Sequence, residues 1–187
     1  MAMSPALEKI LAAKRANPYS DEKSVDELRT EHRAGGAAVP LPEGTTWEAV
    51  DAGGVPAEWI ACGSPISGKV FLFIHGGGYY RGSAAATRST AARISAVSGM
   101  RCLSIDYRLA PENTFPAAID DTYTAYKWLL EQGVTPADIV VGGISAGGGL
   151  TLALLLKVKL MWRMAEGVNA AEWDETRDSL RIRVQKI

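Results

Sequence analysis

The chain has 187 residues, 47% of them hydrophobic and 22% charged, with a formal net charge of −1. That length supports one well-cored domain, and so small a charge leaves no basic field to recruit nucleic acid or an anionic membrane. Two cysteines and two histidines are too few for a disulfide framework or a Cys/His zinc cluster, so no metal and no cofactor is expected.

In chain order, Ala6, Leu7, Ile10 and Leu11 repeat at helical spacing until Asn17-Pro18 stops the run. A second helix is predicted from Val25 to Ala34, with Ser24 as N-cap, Glu27 completing a capping box and Gly35-Gly36 as the stop. Met1 to Ala13 lacks a basic n-region before an apolar core, and no secretory signal is expected there. The longest apolar stretch, Leu150 to Leu156, is far short of the ~20 residues that cross a bilayer, so a cytoplasmic location without a membrane span is expected.

From Thr45 the period changes. Trp47 to Val50 and Pro56 to Cys62 read as short strands joined through Asp51-Ala52-Gly53-Gly54. Val70 to Ile74 is a continuous apolar run, which suits a strand covered on both faces. It leads directly into His75-Gly76-Gly77-Gly78. An Ala-rich helix follows from Ser83 to Val97, stopped by Gly99, and Cys102 to Ile105 is another buried strand. Cys62 and Cys102 both read as small buried hydrophobes. Pro116 opens a helix that Gly133 ends, Ile139 to Val141 is a third buried strand, and Leu150 to Leu160 is helical. This alternation predicts an α/β fold with a mainly parallel sheet and right-handed crossovers, whose ligands collect at the carboxyl ends of the strands.

Two glycine-rich segments fall at those ends. Gly143-Ile144-Ser145-Ala146-Gly147 fits G-x-S-x-G between a strand and a helix. So tight a turn needs glycine on both sides and lifts the Ser145 hydroxyl to the helix N-terminus, where negative charge is favoured. A small-residue turn without catalytic duty is the bland alternative. The peptide groups of His75-Gly76-Gly77-Gly78 are unobstructed by side chains and can aim N–H groups at one oxygen. A phosphate loop would need Gly-Lys-Ser/Thr or G-x-G-x-x-G, whereas Tyr79-Tyr80-Arg81 follows. His75 precedes the loop it would have to serve, so it reads as an orienting residue rather than a base.

These segments, with Asp106-Tyr107-Arg108-Leu109-Ala110-Pro111-Glu112 and Phe115-Pro116-Ala117-Ala118, resemble the hormone-sensitive-lipase-like (bacterial family IV) carboxylesterases of the α/β-hydrolase superfamily. The resemblance is dense from about Val70 to Leu156. It implies Ser145 as nucleophile, with N–H groups of Gly77, Gly78 and Ala146 as oxyanion hole. His75, Gly76, Gly143 and Gly147 would support them. It further implies a cap from residues 1–40, a hydrolase core over 41–160, and Asp106 to Glu112 as a structural brace. Tyr79 and Tyr80 either line the pocket or pack beneath the cap, packing being the commoner role.

Two departures stand out. Ile144 occupies a position where the family usually carries an acid. No histidine follows Ser145, although the family's triad runs Ser, acid, His. The family's C-terminal half is therefore expected to be lacking, and residues 161–187 form an atypical tail. Trp173, Leu180, Val184 and Ile187 fit a helix, while Leu180, Ile182 and Val184 fit a strand equally well. Asp174, Glu175 and Asp178 read as a solvated face. The expected function is hydrolysis of short or medium acyl esters, impaired by the missing imidazole. The alternatives are a non-catalytic ligand binder and a truncated fragment that self-associates through its open sheet edge.

Overall fold

A computed structural model describes residues 3–16 and 23–165. Two helices come first, α1 (Pro5–Ala16) and α2 (Val25–Ala37), followed by the strands β1 (Thr45–Asp51), β2 (Pro56–Cys62) and β3 (Val70–Ile74). Then come α3 (Ala84–Ser98), β4 (Arg101–Ile105), α4 (Ala117–Glu131), β5 (Ile139–Gly143) and α5 (Ala146–Ala165). The tail expectations at Trp173 to Ile187, and the Asn17-Pro18 stop, lie outside the described residues.

The five strands form one sheet in the order β1-β2-β4-β3-β5. β3 lies parallel to β4 on one side and to β5 on the other, with Ile74 opposite Ile105 and Gly143. The β1–β2 hairpin joins antiparallel, and β2 also pairs antiparallel with β4, so the sheet is mixed and its parallel part is β4-β3-β5. Helices cover both faces. Val70, Leu72, Ile74, Leu103 and Ile105 share a core with Ala125 and Leu129 of α4 and with Leu150 and Leu154 of α5. On the opposite face Phe73, Ile60 and Cys102 pack with Ala91 and Ala92 of α3. This is why β3 reads as an unbroken apolar run, since each successive side chain enters a core.

The capping box forms as read. Ser24 Oγ accepts from the Glu27 amide at 3.3 Å, and the Glu27 carboxylate accepts from the Ser24 amide at 2.8 Å. The helix does not stop at Gly35-Gly36, however, and continues to Ala37. A Cβ on Gly36 would overlap the Ala86 backbone of α3. That glycine is a point of close helix approach, where the sequence suggested a terminator. Gly99 does end α3, in the left-handed conformation at φ 69°. Helix α5 begins at Ala146, directly after the serine, four residues ahead of the predicted start.

Cys102 is fully buried, and burial pushes its thiol up to about 12; Cys62 is only half-buried. Among the described residues no helix is long and apolar enough to cross a membrane, and no cluster of three His, Cys, Asp or Glu could hold a metal.

Candidate functional site

At the carboxyl end of the parallel strands β3 and β5 meet, because the sheet places Ile74 beside Gly143. The last residue of each strand feeds one of the two glycine segments, so pairing alone brings them together. The Ile144 amide extends the ladder by donating to the Ile74 carbonyl at 3.3 Å. Then the chain reverses. Ser145 adopts φ 54°, left-handed for a residue with a side chain, and α5 starts at the next residue. Holding such a residue there costs on the order of 1–3 kcal/mol, which the packing around the turn must offset.

Sterics explain the flanking glycines. A Cβ on Gly143 would lie 2.5 Å from the Gly147 carbonyl carbon and 2.6 Å from the Ile74 oxygen, and one on Gly147 would overlap the Ile74 carbonyl. With both bare, α5 closes onto the end of β3. Ser145 is left exposed while Ala146 and Gly147 are buried beneath it. Ile144, at the position of the family's usual acid, is half-exposed, and its side chain brings no polar group to the turn.

The second segment crosses directly over the serine. A Cβ on Gly76 would meet the Ile144 oxygen at 2.7 Å and the Ser145 Cβ at 3.2 Å. Beyond it the chain turns through Gly77, whose carbonyl accepts from the Tyr80 amide at 3.3 Å and the Arg81 amide at 3.1 Å. Tyr79 sits at φ 68°, and its carbonyl accepts from the Ala110 amide at 2.9 Å. The amides of Gly77, Gly78 and Ala146 donate to no protein acceptor among the described residues. The Ser145 hydroxyl likewise has no hydrogen-bond partner there.

His75 is wholly buried under this loop. Its Nδ1 lies 2.8 Å from the Gly76 carbonyl, which can only accept, so Nδ1 carries the proton. The ring stacks on Tyr107 at 4.3 Å, and the Tyr107 hydroxyl donates to the His75 carbonyl at 3.0 Å. Burial holds the imidazole pKa down at about 4. Such a ring orients the loop and stays neutral at physiological pH. His32, the other histidine, lies in α2 with a buried, unpartnered Nδ1, its pKa lowered by burial and then by Arg81.

The segment from Asp106 to Glu112 braces the loop from below. Asp106 accepts from the Ala84 amide at 2.6 Å, fixing the start of α3. Arg108 Nε and Nη2 bond the Asp121 carboxylate of α4 at 2.9 and 2.7 Å. Glu112 receives the Arg29 guanidinium of α2 through two bonds, at 2.8 and 2.7 Å, which pull its carboxyl down to about 2. Tyr79 is 43% exposed, and its hydroxyl lies so close to Gly149 that a Cβ there would meet it at 2.7 Å. The Tyr80 ring packs over Gly78 and under the Arg81 guanidinium.

The serine, both glycine segments and the bracing motif therefore share one rim. Sequence reading passed over Arg29, because nothing in a helix pattern distinguishes one arginine from its neighbours. It also passed over the stacking role of Tyr107, which needs the tertiary approach of β4 to β3.

Residues 71–169 match the family model for the alpha/beta hydrolase fold. An acetyl-hydrolase of Streptomyces hygroscopicus is 38% identical over 108 residues, which are 58% of this chain and 36% of that protein. The crystal structure of an esterase from the bacterial hormone-sensitive lipase family superposes with a TM-score of 0.79 at 40% identity, covering 86% of this chain and 54% of that one. The structure of EstE5 soaked with p-nitrophenyl butyrate gives a TM-score of 0.76 at 35% identity, covering 89% and 55%. The chain thus spans about a third of that curated relative and about half of these solved structures. With a match over more than half its residues, the chain belongs to the α/β-hydrolase fold family.

Proposed function

We propose that this chain carries the nucleophile and oxyanion half of a carboxylic ester hydrolase acting on short or medium acyl esters. The observation that carries this reading is the exposed Ser145 at φ 54°, with the Gly76 backbone packed against it. In the reaction the Ser145 oxygen bonds to the ester carbonyl carbon while its proton passes to a base. The carbonyl oxygen becomes an oxyanion, held by N–H groups of Gly77, Gly78 and Ala146. Collapse releases the alcohol with a proton and leaves acyl-Ser145, which water then hydrolyses to the acid. The free amides and the start of α5 at Ala146 both favour negative charge at that point.

Among the described residues no histidine is hydrogen-bonded to Ser145 to serve as its base. His75 is buried with Nδ1 committed to Gly76, and His32 makes no bond to Ser145 among the described residues. A serine without a base stays protonated at neutral pH and attacks slowly. Oxyanion donors alone preserve a residual acceleration of roughly 10³–10⁴ over water. These 187 residues alone are therefore expected to turn over p-nitrophenyl butyrate no more than about 10³–10⁴-fold above the uncatalysed rate. A fluorophosphonate should label Ser145 slowly, and Ser145→Ala should abolish the adduct by mass spectrometry. Rapid labelling would overturn the impaired reading, and a complete lack of adduct would overturn Ser145 as nucleophile. A second reading, a binder without turnover, draws on the same unpartnered serine. Stoichiometric binding of a small carboxylate with no adduct would favour it. The region before residue 40 is assigned to a cap, supported by α2 lying against the Tyr80 loop through Arg29.

A further inference from the structure

We propose that Arg29 of α2 is a positioning residue that sets the shape of the Gly77–Arg81 turn, and so ties helix α2 to the oxyanion donors. This rests on Gly77 and Gly78 serving as those donors. Arg29 Nε donates to the Tyr80 carbonyl at 2.7 Å, and Nη2 donates to the Ala110 carbonyl at 2.8 Å. Nη1 and Nη2 also grip the two oxygens of Glu112 at 2.8 and 2.7 Å. One guanidinium therefore spans three pieces of chain that are distant in sequence: α2, the turn after Gly78, and the loop after Leu109.

The placement of these bonds gives them their consequence. The Gly77 carbonyl closes the turn from inside through the Tyr80 and Arg81 amides, and Ala110 holds the Tyr79 carbonyl. The Tyr80 carbonyl, on the other side of the peptide from the Arg81 amide, is held from outside by Arg29 as a charged donor. Its side chain is only 19% exposed, while that of Glu112 is 56% exposed. An ion pair with so exposed a carboxylate is worth little on its own. The two carbonyl contacts are partly buried and charge-assisted, and a planar fork can serve them together with the carboxylate. The carboxylate orients the fork, and the carbonyls are what it positions. A lysine ammonium at the same place keeps the charge and loses the fork.

The test uses the whole chain with Arg29→Lys and Glu112→Gln, followed by amide hydrogen exchange and by fluorophosphonate labelling of Ser145. In Arg29→Lys, exchange at the Tyr80 and Arg81 amides is expected to rise about tenfold against Leu72 and Phe73 in β3, with labelling slowed by a similar factor at unchanged Tm. Glu112→Gln leaves the carbonyl contacts and should change both by less than about threefold. Unchanged exchange at Tyr80 and Arg81 in Arg29→Lys would overturn the proposal. So would equal acceleration at Leu72 and Phe73, or equal effects of the two substitutions. Failure of wild-type Ser145 to label would instead overturn the hydrolase reading, and the exchange data would still decide the role of Arg29.

Discussion

Two side chains beneath the glycine loop work in opposite electrostatic settings. Glu112 lies at the surface and is kept ionised by Arg29, whereas His75 is sealed in and kept neutral. Burial of His75 has a pH consequence whose sign follows from proton counting. An exposed imidazole titrates near 6.5 and the folded one near 4, so the unfolded chain binds more protons between those values. Stability from this residue is complete above pH 6.5 and is lost as the pH falls toward 4, by on the order of 3 kcal/mol. In His75→Asn the Nδ2 group can still donate to the Gly76 carbonyl, and the titration disappears. Urea unfolding at pH 7 and pH 5 should therefore show a smaller loss for His75→Asn than for the wild type. Equal losses would mean that His75 is solvated in the folded protein.

At the level of single elements, α2 and α3 illustrate how one residue type serves two ends. Gly35 and Gly36 are adjacent in α2, and each lowers helix propensity by about 1 kcal/mol relative to alanine. A Cβ on Gly35 would meet nothing within 4 Å, so Gly35→Ala is expected to stabilise the protein by about 0.5–1 kcal/mol. A Cβ on Gly36 would enter the backbone of Ala86, which cannot swing aside as a side chain can. Overpacking of that kind costs roughly 1–3 kcal/mol, enough to exceed the propensity gain, so Gly36→Ala should destabilise. Chemical denaturation of the two variants should give opposite signs. The same sign for both would place α2 further from α3 than described.

Across the whole molecule, the two sides of helix α5 differ. Leu150 and Leu154 are buried against the sheet, yet Leu152 and Leu156 are 48% and 51% exposed, with Leu160 following four residues on. A helix apolar on both sides is normally covered on both. Strand β5 pairs only with β3 among the described residues, leaving its other edge unpaired there. Uncovered apolar stripes and strand edges promote association. The 187-residue chain is accordingly expected to self-associate with rising concentration, and Leu152→Glu with Leu156→Lys to reduce its mass in light scattering. A wild type that stays monomeric throughout would count against an uncovered α5 stripe.

The local elements, and the placing of both glycine segments at strand ends, were legible in the sequence because each rests largely on near-neighbour chemistry. The apolar run of β3, the Ser24–Glu27 cap and the Gly99 stop all act within a few residues of themselves, whereas the glycines around Ser145 also make room for the distant Ile74 carbonyl. What the sequence left undetermined concerns pairs far apart along the chain. Only tertiary structure decided that β2 enters antiparallel between β1 and β4, and that Gly36 is a helix contact rather than a stop. The same is true of Tyr107 stacking on His75, and of Arg29 reaching across some eighty positions to Glu112. Those choices depend on which surfaces meet after the chain collapses, and periodicity along one segment carries no information about its distant partner.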